Sequence, residues 1–288
     1  MTTKVTVTGT GTPLATHDRA GAGVLVRYIA PDGSETHLQF DAGRSTVPRL
    51  LAAESSPAKL SALFLTHYHS DHVVGVQDLV LSHWTMDVYD DASRLPIVAP
   101  NGSTIRFCER MLELWDDDLE VRALHNLREP KPKIDIIGFD TPDAPTEVWA
   151  SGDVRVIAGQ VRHEPIIGAV GYRVETPDGV VAISGDTQVC DEVAALAQGA
   201  DIVVYEAMRM DVIAERPVDK QYIMHYHADT RMIGRQMAEL NVPRLMLTHL
   251  IPAPSTDAAQ QAFVDEVRDG GYLGEVLVCD DLDTLELA

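Results

Sequence analysis

A short apolar run, Leu63-Phe64-Leu65, leads straight into Thr66-His67-Tyr68-His69-Ser70-Asp71-His72. In an extended segment alternate side chains point the same way, so His67, His69 and Asp71 project together as the chain leaves the strand. His72 opens the next turn and reaches a second position. Unpartnered polar groups are costly to bury, so a chain that drives a core strand into this cluster must give it a partner. Imidazole and carboxylate at this density suit zinc, or manganese or iron in similar geometry. The fold therefore has to deliver this strand end to an edge where further ligands can meet it.

Further candidates stand at the ends of other apolar stretches. His163 follows residues 154–161, Asp186 follows Val180-Val181-Ala182-Ile183-Ser184-Gly185, and His249 follows Leu245-Met246-Leu247-Thr248. A lone histidine at a strand end is ordinarily a surface or hydrogen-bonded residue. As a set, joined to the first cluster, these residues describe a site built along one edge of a sheet. Apolar runs and turn residues predict strands near residues 5–7, 24–26, 38–40, 63–65, 154–157, 171–174, 180–184, 202–205 and 245–247. Helical spacing is read at 47–53, 104–119, 230–240 and 257–268, the last with Asp257 as N-cap. Residues 128–147 hold Pro130, Pro132, Pro142 and Pro145 and read as a loop insertion. Two β-rich halves flanked by helices predict an αββα sandwich, an α/β class fold, within one domain spanning 1–288.

Composition narrows the function classes. Lys plus Arg is 23 and Asp plus Glu 44, a formal charge of −21. Nucleic-acid affinity comes largely from cations that neutralise phosphates, so this balance argues against nucleic acid as a partner. No apolar run approaches the roughly 20 residues needed to cross a bilayer. The first residues lack the basic start and apolar stretch of a signal peptide. Cys108, Cys190 and Cys279 are scattered and odd in number, which indicates no disulfide framework. A cytoplasmic location, with no membrane partner, is the expectation.

With these residues in view, His67-Tyr68-His69-Ser70-Asp71-His72 resembles the HxHxDH signature of the metallo-β-lactamase superfamily. Thr8-Gly9-Thr10-Gly11-Thr12-Pro13, Phe40-Asp41-Ala42-Gly43, Gly185-Asp186-Thr187 and Thr248-His249 resemble its branch of ribonuclease Z and zinc arylsulfatases. The resemblance runs from Thr8 to His249. It implies one metal on His67, His69 and His163, a second on Asp71, His72 and His249, and Asp186 bridging the two. It implies two zinc ions per chain that activate a water to attack an ester. It also implies His227 as proton donor to the leaving group, Glu206 as the acid that orients it, Asp71 beside them in catalysis, and Asp41 as a carboxylate behind the ligands. His225 competes with His227 for the donor's role. His17, His37 and His125 are assigned to no site, and His83 is a candidate for the pocket wall.

Substrate class is read from what the branch carries and this chain lacks. Bacterial ribonuclease Z grips tRNA with an arm between the positions matching His163 and Asp186. Here that interval is 186 − 163 = 23 residues, filled by strand and turn. The segments from Asp78 to Trp84 and from Leu95 to Gly102 resemble the arylsulfatase side. The expectation is a dinuclear zinc hydrolase of a small, aromatic or anionic molecule, with arylsulfatase-like ester hydrolysis favoured. Trp84, Trp115 and Trp149 are candidate pocket walls. Alternatives are a phosphodiesterase or tRNA 3′-end endonuclease, a lactonase or hydrolytic dehalogenase, and a non-catalytic binding protein on the same fold. The resemblance also makes a homodimer plausible.

Overall fold

The computed structural model describes residues 1–90, 92–126 and 131–287. Two mixed sheets stack face to face with helices outside, the αββα arrangement. The first runs through β1 (Thr2–Gly9), β2 (Gly23–Ile29), β3 (Glu35–Phe40), β4 (Ala62–Phe64), β5 (Leu95–Pro100) and β6 (Ile134–Phe139) in that spatial order. The second runs through β7 (Thr146–Ser151), β8 (Val154–Gln160), β9 (Val170–Thr176), β10 (Gly179–Ile183), β11 (Ile202–Met208), β12 (Arg244–Ile251) and β13 (Glu275–Val278). The last strand, β14 (Thr284–Leu287), returns to the first sheet and pairs with β1.

Each sheet begins antiparallel and turns parallel. β1 to β3 alternate in direction, then β3 to β6 run parallel. In the same way β7 to β10 alternate and β10 to β13 run parallel. Parallel strands need helical crossovers, and these cover the outer faces. The inner faces share one core. Phe40 stacks on Phe64 at 4.8 Å, and Trp149 meets Phe64 edge-on at 5.8 Å. Outside the first sheet, Leu63, Leu65, Ile97 and Ala99 pack with Leu50, Val76, Leu79 and Val80. Outside the second, Val203, Tyr205, Leu245 and Leu247 pack with Ile233, Met237, Phe263 and Val267. β4 is buried on both faces, which explains its unbroken apolar text.

Several local expectations are revised. Of the stretch read as a loop insertion, residues 134–139 form the edge strand β6 and Thr146 begins β7; residues 128–130 lie outside the described residues. The segment crosses from one sheet to the other, with Pro132 just before β6 and Pro142 and Pro145 between β6 and β7. The helix expected over 104–119 is broken into Ser103–Arg110 and Asp116–Asn126 by a 3-10 turn at Glu113–Trp115. The final helix is capped by Thr256, whose side chain accepts from the Ala259 amide, and Asp257 is its first residue. The helix Val76–Asp90 and strand β5 were not anticipated, although Val76, Leu79, Val80 and Trp84 carry helical spacing and are buried. All three cysteines are free and buried. Among the described residues no helix is long and apolar enough to cross a membrane.

One contact seats the polar cluster. A Cβ on Gly43 would lie 2.2 Å from the Asp71 carbonyl oxygen and 2.6 Å from the Gly21 Cα. Only glycine lets the exit of β3 approach so closely. Ala42 N–H donates to the His72 carbonyl at 2.8 Å, and Gly75 N–H to the Ala42 carbonyl at 2.8 Å. The segment after β4 is thereby fastened to the end of β3.

Candidate metal centre

Most of the predicted site residues leave strand ends at one edge of the sandwich. His67 and His69 follow β4, and the short helix Ser70–Val73 carries Asp71 and His72. His163 follows β8. Asp186 follows β10 after Gly185, whose φ of 61° makes the turn. Glu206 lies in β11, and His227 stands just before the helix Thr230–Glu239.

His249 is placed by a bulge. β11 pairs Glu206 with Thr248 but Ala207 with Leu250, leaving His249 as the extra residue, with φ of 45°. Simple alternation from Leu245 and Leu247 would send residue 249 into the helix-side core. The bulge lets Leu250 take that place and turns the imidazole to the site. A non-glycine residue in the left-handed region is uncommon and accumulates at functional positions.

The side chains converge. Donor atoms of His67, His69, His163 and Asp186 lie within 4.8 Å of one another, as do those of Asp71, His72 and His249. Asp186 faces both groups. Its Oδ1 is 3.3 Å from His72 Nε2, and its Oδ2 is 3.4 Å from His249 Nε2 and 3.9 Å from His163 Nε2. His249 Nε2 also lies 3.2 Å from Asp71 Oδ2. All but the half-exposed His69 are buried.

The chemistry of the donors fits a cation. His67 Nε2 and His72 Nε2 are buried without a hydrogen-bond partner. The opposite nitrogens are held from behind: His72 Nδ1 by Asp41 Oδ2 at 2.7 Å, His67 Nδ1 by Thr66 Oγ1 at 3.0 Å. His163 Nδ1 donates to the Tyr226 carbonyl at 3.0 Å. A ring fixed on one nitrogen with the other bare is how proteins aim imidazole at a metal. Burial, then the neighbouring His72, holds the His67 ring well below its ordinary range and so neutral. Burial works against charge on Asp186, yet His249 and His72 outweigh it and keep the carboxyl well below its usual range. Neutral imidazoles and ionised carboxylates are the forms that bind metal.

Behind these donor groups stands Asp41, itself at φ 54°. Besides His72 it accepts the Thr66 amide and the Thr66 hydroxyl, each at 2.8 Å. Asp41→Asn is expected to weaken metal binding by roughly 10- to 100-fold, the usual cost of losing such a partner. Competition against a chromogenic chelator measures it; unchanged affinity would remove Asp41 from the site.

On the far side, His227 Nδ1 bonds Glu206 Oε1 at 2.8 Å, and the same oxygen accepts the Thr187 amide at 2.8 Å. The His227 ring stacks on His249 at 5.4 Å. His225 is exposed, its carbonyl taken by the Gln188 amide. Burial pushes Glu206 well above the carboxylate range, with the Asp186 charge adding to it; burial lowers His227. Thr66, Thr187 and Tyr226 are site residues that sequence reading missed. They act through hydrogen bonds whose partners are distant in sequence, and nothing local marks them. The three tryptophans do not wall the site. Trp149 lies in the inter-sheet core, and Trp84 and Trp115 line a separate cleft of about 370 Å³. His83 is buried in the helix Val76–Asp90 and belongs to neither donor group.

Stacked mixed sheets with paired donor clusters at their shared edge define a metal-dependent hydrolase, and the comparisons agree. The model for the β-lactamase superfamily domain matches residues 36–250, and the chain belongs to that superfamily. Ribonuclease Z of Mycobacterium bovis (strain BCG / Pasteur 1173P2) is 32% identical over 253 residues, 87% of this chain and 86% of the relative. Ribonuclease Z of Mycolicibacterium paratuberculosis is 32% identical over 99% of this chain and 98% of its own. Among solved structures, the metallo-β-lactamase fold protein YhfI from Bacillus subtilis superposes with a TM-score of 0.75 at 20% identity, covering 99% of this chain and 100% of that one. The short form of human tRNase Z gives 0.67 at 19%, covering 99% of both chains. At these identities the structures speak for the fold.

These relatives overturn one expectation. The expectation of a small-molecule substrate, with nucleic acid unlikely, does not stand when relatives over most of the chain are named as ribonucleases. The arylsulfatase-like preference finds no support among them. Both arguments for it were too coarse. Net charge is a sum over the whole surface, whereas a polyanion meets one patch of it. The short interval between His163 and Asp186 does not discriminate either, because a relative named Ribonuclease Z is matched almost end to end by this chain.

Proposed function

We propose that this protein is a phosphodiesterase of the ribonuclease Z type that cuts precursor tRNA on its 3′ side, with two zinc ions as its metals. The observation that carries the substrate class is the 32% identity to proteins of that name over 87% of the chain. In this reading His67, His69 and His163 hold one metal, Asp71, His72 and His249 the other, and Asp186 joins them. Such a pair would supply Lewis acidity to a phosphoryl oxygen and lower the pKa of a water.

The remaining work falls to the chain's own residues. Glu206 Oε1 accepts the hydrogen bond of His227 Nδ1–H, which leaves Nε2 as the nitrogen that faces the scissile bond. His227, Asp186 and His249 offer donor atoms within 4.8 Å of one another, so the ring lies beside the proposed reaction centre. Carrying a second proton on Nε2, His227 passes that proton to the ribose oxygen as its bond to phosphorus breaks, and the ring is left as the neutral Nδ1–H form held by Glu206. Glu206 is a positioning residue: its Oε1 holds Nδ1 and so fixes the orientation of the ring.

Purified protein incubated with a precursor tRNA and zinc or manganese tests the reading. The expected result is one discrete 3′ cut whose rate falls steeply with salt. Intact precursor under every metal tried, with turnover of a small phosphodiester, would overturn it.

A further inference from the structure

A row of aromatic rings leads from the metal centre to solvent. Tyr68 lies 6.1 Å from His69, His69 is 5.0 Å from His163, His163 is 5.2 Å from Tyr226, and Tyr226 is 6.2 Å from Tyr222. Tyr226 also packs against His227 at 4.9 Å. Exposure rises outward on the His227 side, to 59% at Tyr222. An exposed tyrosine is common on any surface. This one stands at the end of an unbroken ring contact with the proposed proton donor.

The segment that presents it is built to hold still. Ile223 and Met224 pack against the cluster of Met208, Ile213 and Ile251, so the residues after Tyr222 anchor inward while its ring is left out. Gln221 donates to the carbonyls of Ala214 and Arg216, each at 2.8 Å. The Tyr226 carbonyl holds His163. A rigid, open aromatic surface beside a phosphodiester site is what an unstacked nucleobase recognises, because every base has a π-face and stacking on a ring is sequence-tolerant. Arg216, half-buried on the same segment, has no ion-pair partner among the described residues and supplies a cation for the backbone.

We infer that Tyr222, backed by Tyr226, forms a ledge on which the substrate stacks a base next to the scissile phosphate; this rests on the ribonuclease reading above. The ledge selects unpaired nucleotides at the cut and holds the chain so that His227 meets the leaving oxygen.

The test compares a precursor tRNA with versions made abasic at each nucleotide flanking the cut, using wild type, Tyr222→Ala and Tyr222→Phe. In the wild type, removing one flanking base is expected to lower kcat/KM by about 5- to 100-fold, the size of base–aromatic stacking, chiefly through KM. Tyr222→Ala is expected to lose the same factor on intact RNA and nothing further on the abasic one. Tyr222→Phe is expected to match wild type. A Tyr222→Ala enzyme that still distinguishes intact from abasic RNA as wild type does overturns the ledge and leaves the ribonuclease reading standing. Wild type that cuts neither RNA overturns both.

Discussion

Asp186→Ala is expected to lose metal and activity together. The carboxylate is 3% exposed, and its two oxygens face donors of both clusters at 3.3–3.9 Å. No other side chain spans them in this way among the described residues. Removing it takes one anion from each set and leaves His72 Nε2 without its nearest carboxylate. Several kcal/mol of transition-state stabilisation depend on a correctly held metal pair, so turnover should fall by at least about 10³-fold. Elemental analysis should show clearly fewer than two metals per chain after gel filtration. Both metals retained at full occupancy would mean that Asp186 does not join the clusters.

His227→Ala is expected to separate the two properties. The imidazole bonds Glu206 and stacks on His249, but neither proposed ligand set needs it. Metal content should stay at the wild-type level while kcat drops by roughly 10²–10⁴-fold, the range for losing a positioned acid. The drop should be largest with an alkoxide leaving group such as ribose and small with p-nitrophenolate, which leaves without a proton. The geometry contains a rival: Asp186, His227 and His249 also form a compact donor group. If the variant loses a metal, His227 is a ligand and the proton comes from elsewhere.

The parts of this site that were legible are those whose chemistry is written locally. His67 to His72 follow a strand that is buried on both faces, and the abrupt change from apolar to ligand-rich text marks where the sheet ends. His163, Asp186 and His249 each follow an apolar run, and the shared edge is what the two-halved topology makes of them. The illegible parts are matters of distance or backbone. Nothing in Leu245-Met246-Leu247-Thr248-His249 announces the bulge that turns His249 into the site. Thr66, Thr187 and Tyr226 are ordinary residues until the fold brings partners to them. Proline content hid β6, because prolines that flank a strand read the same as prolines in a loop. The total charge misled most. It is legible to the last unit, yet binding depends on where the charges lie, and composition holds no positions.

The most direct measurement is a metal titration of the demetallated full-length protein, followed by its rate of precursor tRNA cleavage. Cleavage should be absent without metal, rise as zinc is added, and level off near two equivalents per chain. Undiminished cleavage by protein stripped of metal, or a plateau in bound metal with no cut in the RNA, would contradict a dinuclear ribonuclease.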